Sequence, residues 1–236
     1  MYDAERRDAL AANLAQVHER IDRACAAAGR DRSDVTLIAV TKFFPVSDVE
    51  HLAALGVTDM GENRDQEAGA KFAEIPAQIR EQLTVHFIGQ LQSNKASHVV
   101  GYADVVQSVD RAKIARALDR AALAQERTLD VLVQVDLSGE TGRGGVAVPD
   151  ARALADRVAE AEALRLRGVM AVAPLGADPA EAFARLAEVA GAIRADHPEA
   201  DQLSAGMSGD LEQAVAAGAT HLRVGSAILG SRPTAR

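Results

Sequence analysis

The chain has 236 residues, 26 Lys+Arg against 34 Asp+Glu, a formal net charge of −8 and 48% hydrophobic residues. This globular composition excludes disorder and collagen-like assembly, and the acidic balance argues against nucleic acid or an anionic membrane as partner, since both call for clustered cations. No apolar run approaches the roughly 18 residues of a membrane span, and the polar start MYDAERRDAL lacks the apolar centre of a secretory signal, so the expected location is cytoplasmic.

The first element is a helix over residues 3–28. Leu10, Leu14, Val17 and Ile21 recur at helical spacing and Gly29 stops the run. Cys25 lies in this apolar stretch and reads as packing; one cysteine excludes an internal disulfide. Eight β-rich runs follow, near 36–41, 57–60, 84–88, 104–108, 130–137, 166–172, 202–205 and 221–225. Alanine-rich amphipathic segments lie between them, near 46–55, 63–73, 92–99, 111–126, 149–161, 179–195 and 208–217. Strict alternation of this kind predicts parallel strands with crossover helices. Eight units suggest a (β/α)8 TIM barrel preceded by one helix, a single domain over residues 1–236 with residues 1–30 packed on the barrel. A doubly wound open sheet is the alternative.

In a barrel, chemistry sits where strands end. The first strand exits at Thr41-Lys42-Phe43-Phe44-Pro45. A lysine at that mouth suits a nucleophilic amine, or it snorkels to the rim. Only three other lysines exist: Lys71 and Lys113 read as solvated on polar helix faces, and Lys95 opens the helix after the third strand. The second strand exits into Gly61-Glu62-Asn63-Arg64, where Asn63 lines the mouth or caps a helix. His86 alternates with apolar residues and reads as packed, and the six histidines show no metal spacing, so no metal is expected. The glycine-rich loop Gly139 to Gly145 lacks P-loop spacing.

The last two strands exit into Gly206-Met207-Ser208 and Gly225-Ser226. Both offer glycine backbone and a hydroxyl, in the strands where barrels build phosphate sites. Ser208 also suits a plain helix cap, and Asp210 and Glu212 are expected to face solvent. Arg223, between Leu222 and Val224, needs a partner if buried, either a barrel carboxylate or a ligand. Lysine on the first strand, arginine on the neighbouring eighth and a phosphate cup meet the requirements of pyridoxal phosphate.

Seven stretches share one resemblance. They are Ile38-Ala39-Val40-Thr41-Lys42, Gly61-Glu62-Asn63 with Gln66-Glu67, and His86-Phe87-Ile88-Gly89-Gln90-Leu91-Gln92-Ser93-Asn94-Lys95. The rest are Gln134-Val135-Asp136-Leu137-Ser138-Gly139, Gly168-Val169-Met170-Ala171, Leu203-Ser204-Ala205-Gly206-Met207-Ser208 and His221-Leu222-Arg223-Val224-Gly225-Ser226. From about residue 5 to 233 the chain resembles the pyridoxal phosphate homeostasis proteins, single-domain relatives of the alanine racemase barrel. The resemblance implies that Lys42 carries pyridoxal 5′-phosphate as a Schiff base and that Arg223 contacts the pyridine nitrogen. It also implies that Ser208, Gly225, Ser226 and the Met207 backbone hold the phosphate, with Asn63 and Met170 beside the ring. Where relatives often carry a lysine in the glycine-rich loop, this chain has Arg143, which cannot form an imine.

An arginine at the ring nitrogen disfavours its protonation and weakens the ring as an electron sink. Racemisation needs a second acid/base group. Neither Tyr2 nor Tyr102 lies at a predicted strand exit, and the chain stops too soon after the eighth strand for a second domain. The expected function is therefore cofactor binding with negligible turnover, by a monomer that passes pyridoxal phosphate to apo-enzymes. An amino-acid racemase is the alternative.

Overall fold

Among the described residues nine parallel strands form, and eight of them close on themselves. The computed structural model describes residues 2–139 and 144–231. The barrel strands are β1 (Thr36–Val40), β2 (Asp59–Glu62), β3 (Thr84–Phe87), β4 (Val105–Val109), β5 (Leu129–Asp136), β7 (Leu164–Met170), β8 (Gln202–Ser204) and β9 (His221–Val224). A two-residue strand, β6 (Val146–Ala147), pairs with the end of β5 outside the barrel. β4 pairs with β5, and β1 pairs with β9 through Ile38 opposite Arg223, so the eight-stranded barrel closes and the sheet is not doubly wound. The seventh and eighth predicted strands are thus β8 and β9.

Helices α2 (Val46–Ala54), α3 (Asp65–Glu74), α5 (Ala96–Tyr102), α6 (Ala112–Ala124), α7 (Ala151–Ala159), α8 (Pro179–Asp196) and α9 (Leu211–Ala216) surround the barrel. Two single-turn helices, α4 (Ala77–Arg80) and α10 (Ser226–Leu229), join them. The long α1 (Tyr2–Ala28) ends at Gly29, whose φ of 65° is left-handed. It packs on α9 and α10 with Leu10, Leu14, Val17 and Ile21 buried, and Cys25 is buried with them. Arg6 grips Asp48 of α2 through two hydrogen bonds of 2.9 and 2.6 Å, and Asn13 donates to the Ile228 carbonyl at 2.9 Å.

Alternation along the strands divides the interior in two. Leu37, Ala39, Met60, Val85, Phe87, Val106, Val131, Val133, Leu203, Leu222 and Val224 face the helices and form one large apolar layer. The opposite residues fill the lumen, where Val105, Leu132 and Met170 form an apolar cluster and Ile38 and Val40 are also buried. The remaining lumen residues include buried His86, Gln107, Ser204 and Arg223. β7 reaches its register through a bulge: Leu166 pairs with Val131, but Gly168 already pairs with Leu132. Gly168 has φ 145°, and a Cβ there would lie 1.9 Å from the Gln202 carbonyl oxygen, so the position requires glycine.

Three of the boundaries that differ from expectation lie near the strand exits. β2 ends at Glu62 rather than Met60, because Gly61 still pairs with His86 and Glu62 with Phe87. Residues 92–99 do not start as an α-helix; a 3-10 turn, Ser93–Lys95, precedes α5. The helix after β8 starts at Leu211, not Ser208, because the intervening residues turn back: Met207 N–H donates to Asp210 Oδ1 at 2.6 Å.

Candidate functional site at the C-terminal mouth of the barrel

A cavity of about 550 Å³ opens among the strand ends. It is lined by Val40, Lys42, Asn63, Ile88, Gln134, Met170, Val172, Met207, Ser208, Gly209, Arg223, Gly225 and Ser226. All eight residues singled out from the sequence are among them. Those that sequence reasoning missed are wall residues: Val40, Ile88, Gln134, Val172 and Gly209. Gln134 carried a readable signal, an amide inside the apolar run Val131 to Val135, of the same kind that drew attention to Arg223.

Lys42 follows β1 and is half-buried, with Nζ 6.0 Å from the Phe43 ring centroid. Phe43 has φ 70°, uncommon for a residue with a side chain. Its N–H donates to Glu67 Oε1, which fixes that turn. Behind it lies a buried ionic cluster. Lys71 donates to Glu62 Oε1 at 2.7 Å and to the Thr41 carbonyl at 2.8 Å, and Thr41 Oγ1 donates to Glu62 Oε1 at 2.7 Å. Lys71 is 6% exposed and Glu62 0%, which corrects the expectation that Lys71 is solvated and that Glu62 crowds the mouth. Both face the layer between β1, β2 and α3. Burial pushes the Glu62 carboxyl above its usual range, against the opposing pull of Lys71.

Asn63 lies just before the N-cap residue Arg64 and is not the cap itself. A side chain at Gly89 would meet the Asn63 carbonyl oxygen at 2.1 Å, so glycine lets the two strand exits close on each other. Ser208 is not a helix cap either. Its hydroxyl accepts from Ser226 Oγ at 3.2 Å and from Ala227 N–H at 3.3 Å, which joins the exits of β8 and β9. Asp210 turns to the Met207 backbone instead of facing solvent, and Glu212 pairs with Arg20 of α1 at 2.8 Å. Arg20 also donates to the Ser208 carbonyl at 2.9 Å, so α1 braces the two-serine turn. Arg20→Ala is expected to cost about 1 kcal/mol, because it removes one charged hydrogen bond and a largely solvated ion pair. A urea titration reads this as a lower midpoint at unchanged slope.

Arg223 is 4% exposed and meets no carboxylate directly among the described residues. One Nη donates to Ser204 Oγ at 2.6 Å and the other to the Ala171 carbonyl at 2.7 Å. Burial lowers its pKa to about 10, so the guanidinium is charged at neutral pH. His86 is buried, as expected, and is hydrogen-bonded to Asp59 and Gln107, partners that the sequence alone does not reveal. Among the described residues no group of His, Cys, Asp and Glu suits a metal ion.

Lys95 faces a second, larger cavity of about 890 Å³ that shares Asn63 and includes Arg64 and Arg111. Its Nζ lies 3.8 Å from Asp65 Oδ2. Lys113 is exposed. Arg143 lies outside the described residues, as does the tail beyond Ser231; Gln134 holds the near side of that loop by donating to the Gly144 carbonyl at 3.0 Å.

The donor set fits a planar phosphorylated aldehyde. An amine stands at one wall, a permanent cation at the floor, two hydroxyls with glycine backbone at one end, and apolar Ile88 and Met170 between them. The model of the alanine racemase N-terminal domain matches residues 6–233. The pyridoxal phosphate homeostasis protein of Mycobacterium tuberculosis is 43% identical, with 97% of this chain and 95% of that protein covered. The chain belongs to the pyridoxal phosphate homeostasis family. The family's protein from Escherichia coli is 38% identical, covering 94% of this chain and 97% of its own. The family member PipY of Synechococcus elongatus, solved with PLP bound, superposes with a TM-score of 0.80 at 35% identity, over 94% of this chain and all of that one.

Proposed function

We propose that this protein binds pyridoxal 5′-phosphate in the Lys42 cavity and serves homeostasis of the cofactor, holding it as a Schiff base on Lys42 without substantial turnover. The observation that carries this reading is the convergence of Lys42, Arg223, Ser208 and Ser226 on one cavity from β1, β8 and β9. When bound, the cofactor supplies an aldehyde that condenses with an amine and a ring that withdraws electrons. The chain's own groups set the rest. Lys42 would offer the amine, the two serines and the Gly209 and Gly225 backbone would hold the phosphate, in place of the Met207 N–H that Asp210 occupies, and Asn63 and Met170 would flank the ring. Arg223 only donates hydrogen bonds, so the ring nitrogen it meets stays an acceptor.

Among the described residues, Lys42 and Arg223 are the only ionisable side chains lining the cavity. A racemase needs an acid/base group on each face of its substrate, so this lining favours a binder over the racemase alternative. The proposal extends to a cytoplasmic monomer that hands the cofactor to apo-enzymes. No helix among the described residues is long and apolar enough to cross a membrane.

Purified protein mixed with pyridoxal phosphate is expected to show a visible absorbance band that borohydride bleaches. Lys42→Ala, folded by circular dichroism, is expected to lack it. An equal band in the variant would overturn Lys42 as the attachment point. Exchange of the α-proton of L-amino acids in deuterated water at enzymatic rates would favour the racemase.

A further inference from the structure

The lumen holds a continuous chain of polar side chains where a barrel of this size would otherwise pack aliphatic layers. From the mouth downward it runs Arg223, Ser204, Gln107, His86 and Asp59. The distances are 2.6 Å from Arg223 to Ser204 Oγ, 2.7 Å from Ser204 Oγ to Gln107 Oε1, 3.0 Å from Gln107 Nε2 to His86 Nδ1, and 2.9 Å from His86 Nε2 to Asp59 Oδ1. Each residue comes from a different strand, in order β9, β8, β4, β3 and β2. Ser204, Gln107 and His86 do not line the ligand cavity.

With the Gln107 carbonyl oxygen turned to Ser204, the bond directions in this chain follow from its donors. A guanidinium has no acceptor, so Ser204 must accept from Arg223 and give its one proton onward. That proton goes to the Gln107 carbonyl oxygen, and the Gln107 NH2 faces His86. His86 Nδ1 must then be a lone pair, which leaves the ring proton on Nε2, where it donates to the Asp59 carboxylate. Burial raises the Asp59 carboxyl, but the hydrogen bonds from His86 and Thr58 outweigh it, so the group lies below its usual range and is ionised to receive that proton donor.

We infer that Ser204, Gln107 and His86 are positioning residues that lock the Arg223 guanidinium at the cavity floor through a one-way hydrogen-bond relay ending on Asp59. The inference rests on the reading of this cavity as a pyridoxal phosphate site. The relay occupies one Nη, the Ala171 carbonyl occupies the other, and the N–H groups left over face the ligand in a single orientation. Charge on Asp210 acts on Arg223 across the mouth but makes no hydrogen bond to it. Without Ser204 or Gln107 the guanidinium loses its anchor and swings, and the ring nitrogen is no longer met by a fixed donor.

The test is titration of the protein with pyridoxal phosphate, following the visible band, in wild type, Ser204→Ala, Ser204→Thr and Gln107→Leu, with the pH profile of that band measured for each. Ser204→Ala and Gln107→Leu are expected to bind roughly tenfold more weakly, the loss of one charge-assisted hydrogen bond. They are also expected to shift the midpoint of the band's pH profile, which a purely structural defect would leave in place. Ser204→Thr keeps the hydroxyl and is expected to restore both affinity and midpoint. Should Gln107→Leu fail to fold, the Ser204 pair alone decides. A Ser204→Ala protein with wild-type affinity and midpoint would overturn the relay while leaving the cofactor reading intact. A wild type with no band would overturn the cofactor reading and the relay's role with it.

Discussion

Lys71→Ala is expected to destabilise the protein by about 4 kcal/mol, the effect of stripping one partner from a buried ion pair. Glu62 is fully buried, and its Oε1 is held by Lys71 and Thr41. Its Oε2 has no hydrogen-bond partner among the described residues. Glu67 lies 3.5 Å from the same ammonium. Removing Lys71 therefore leaves two neighbouring carboxylates, one of them wholly desolvated. Glu62 would have to take a proton to stay inside. The double variant Lys71→Met with Glu62→Gln removes both charges and is expected to recover at least half of the loss. Urea unfolding of the three proteins at neutral pH checks this. A single variant within about 1 kcal/mol of wild type would mean that the cluster contributes little. The same variants bear on the site, since Lys71 and Glu67 hold the Thr41 carbonyl and the Phe43 N–H on either side of Lys42.

Stability is expected to fall by up to about 3 kcal/mol between neutral pH and about pH 4 through His221 alone. Burial, with His86 nearby, lowers its pKa from 6.5 to about 4. The sign follows from which state binds the proton. Above pH 6.5 the imidazole is neutral in both states and the term vanishes. Below it the unfolded chain gains a proton that the folded chain refuses until about pH 4, so folding becomes less favourable as pH falls through that window. The groups around the ring are Thr220 Oγ1 at 2.8 Å from Nδ1, the His86 ring at 6.3 Å, and the charges of Asp59, Asp201 and Arg223. His221→Gln is expected to flatten the slope of unfolding free energy against pH between 6.5 and 4. Guanidinium unfolding at closely spaced pH values measures it, and an unchanged slope in the variant would assign the acid sensitivity elsewhere.

The strand order and the site were legible for one reason: both follow from periodicity along the chain. An apolar run that ends in lysine, or is interrupted by arginine, marks the same feature in one dimension as in three. Lys42, Asn63, Ser208, Arg223, Gly225 and Ser226 could be named because strand exits of a closed barrel converge by construction, whereas Met170 and the Met207 backbone came from the family resemblance. Lys71 was illegible because its environment is set by Glu62, which looks like a mouth residue until β2 is seen to continue through it. The segment Asp65 to Glu74 reads as an ordinary solvated helix turn when its partner strand is unknown. Ser208 misread as a helix start for a related reason: Asp210 supplies the turn, through a bond to the Met207 backbone that residue type alone does not reveal. The polar lumen was the least visible feature. His86, Gln107 and Ser204 lie on three strands, and only the shear of the barrel brings them into line.

The seam between β1 and β9 gives the molecule an order of assembly. Lys42 is synthesised well before Arg223, and Ile38 meets Arg223 across that last pairing. A ribosome-bound chain that has not yet released β9 has the amine but neither the floor of the cavity nor the second serine. Ligand capture therefore reports a finished ring. The site cannot form in pieces, since the ends of β1, β8 and β9 each supply part of its lining.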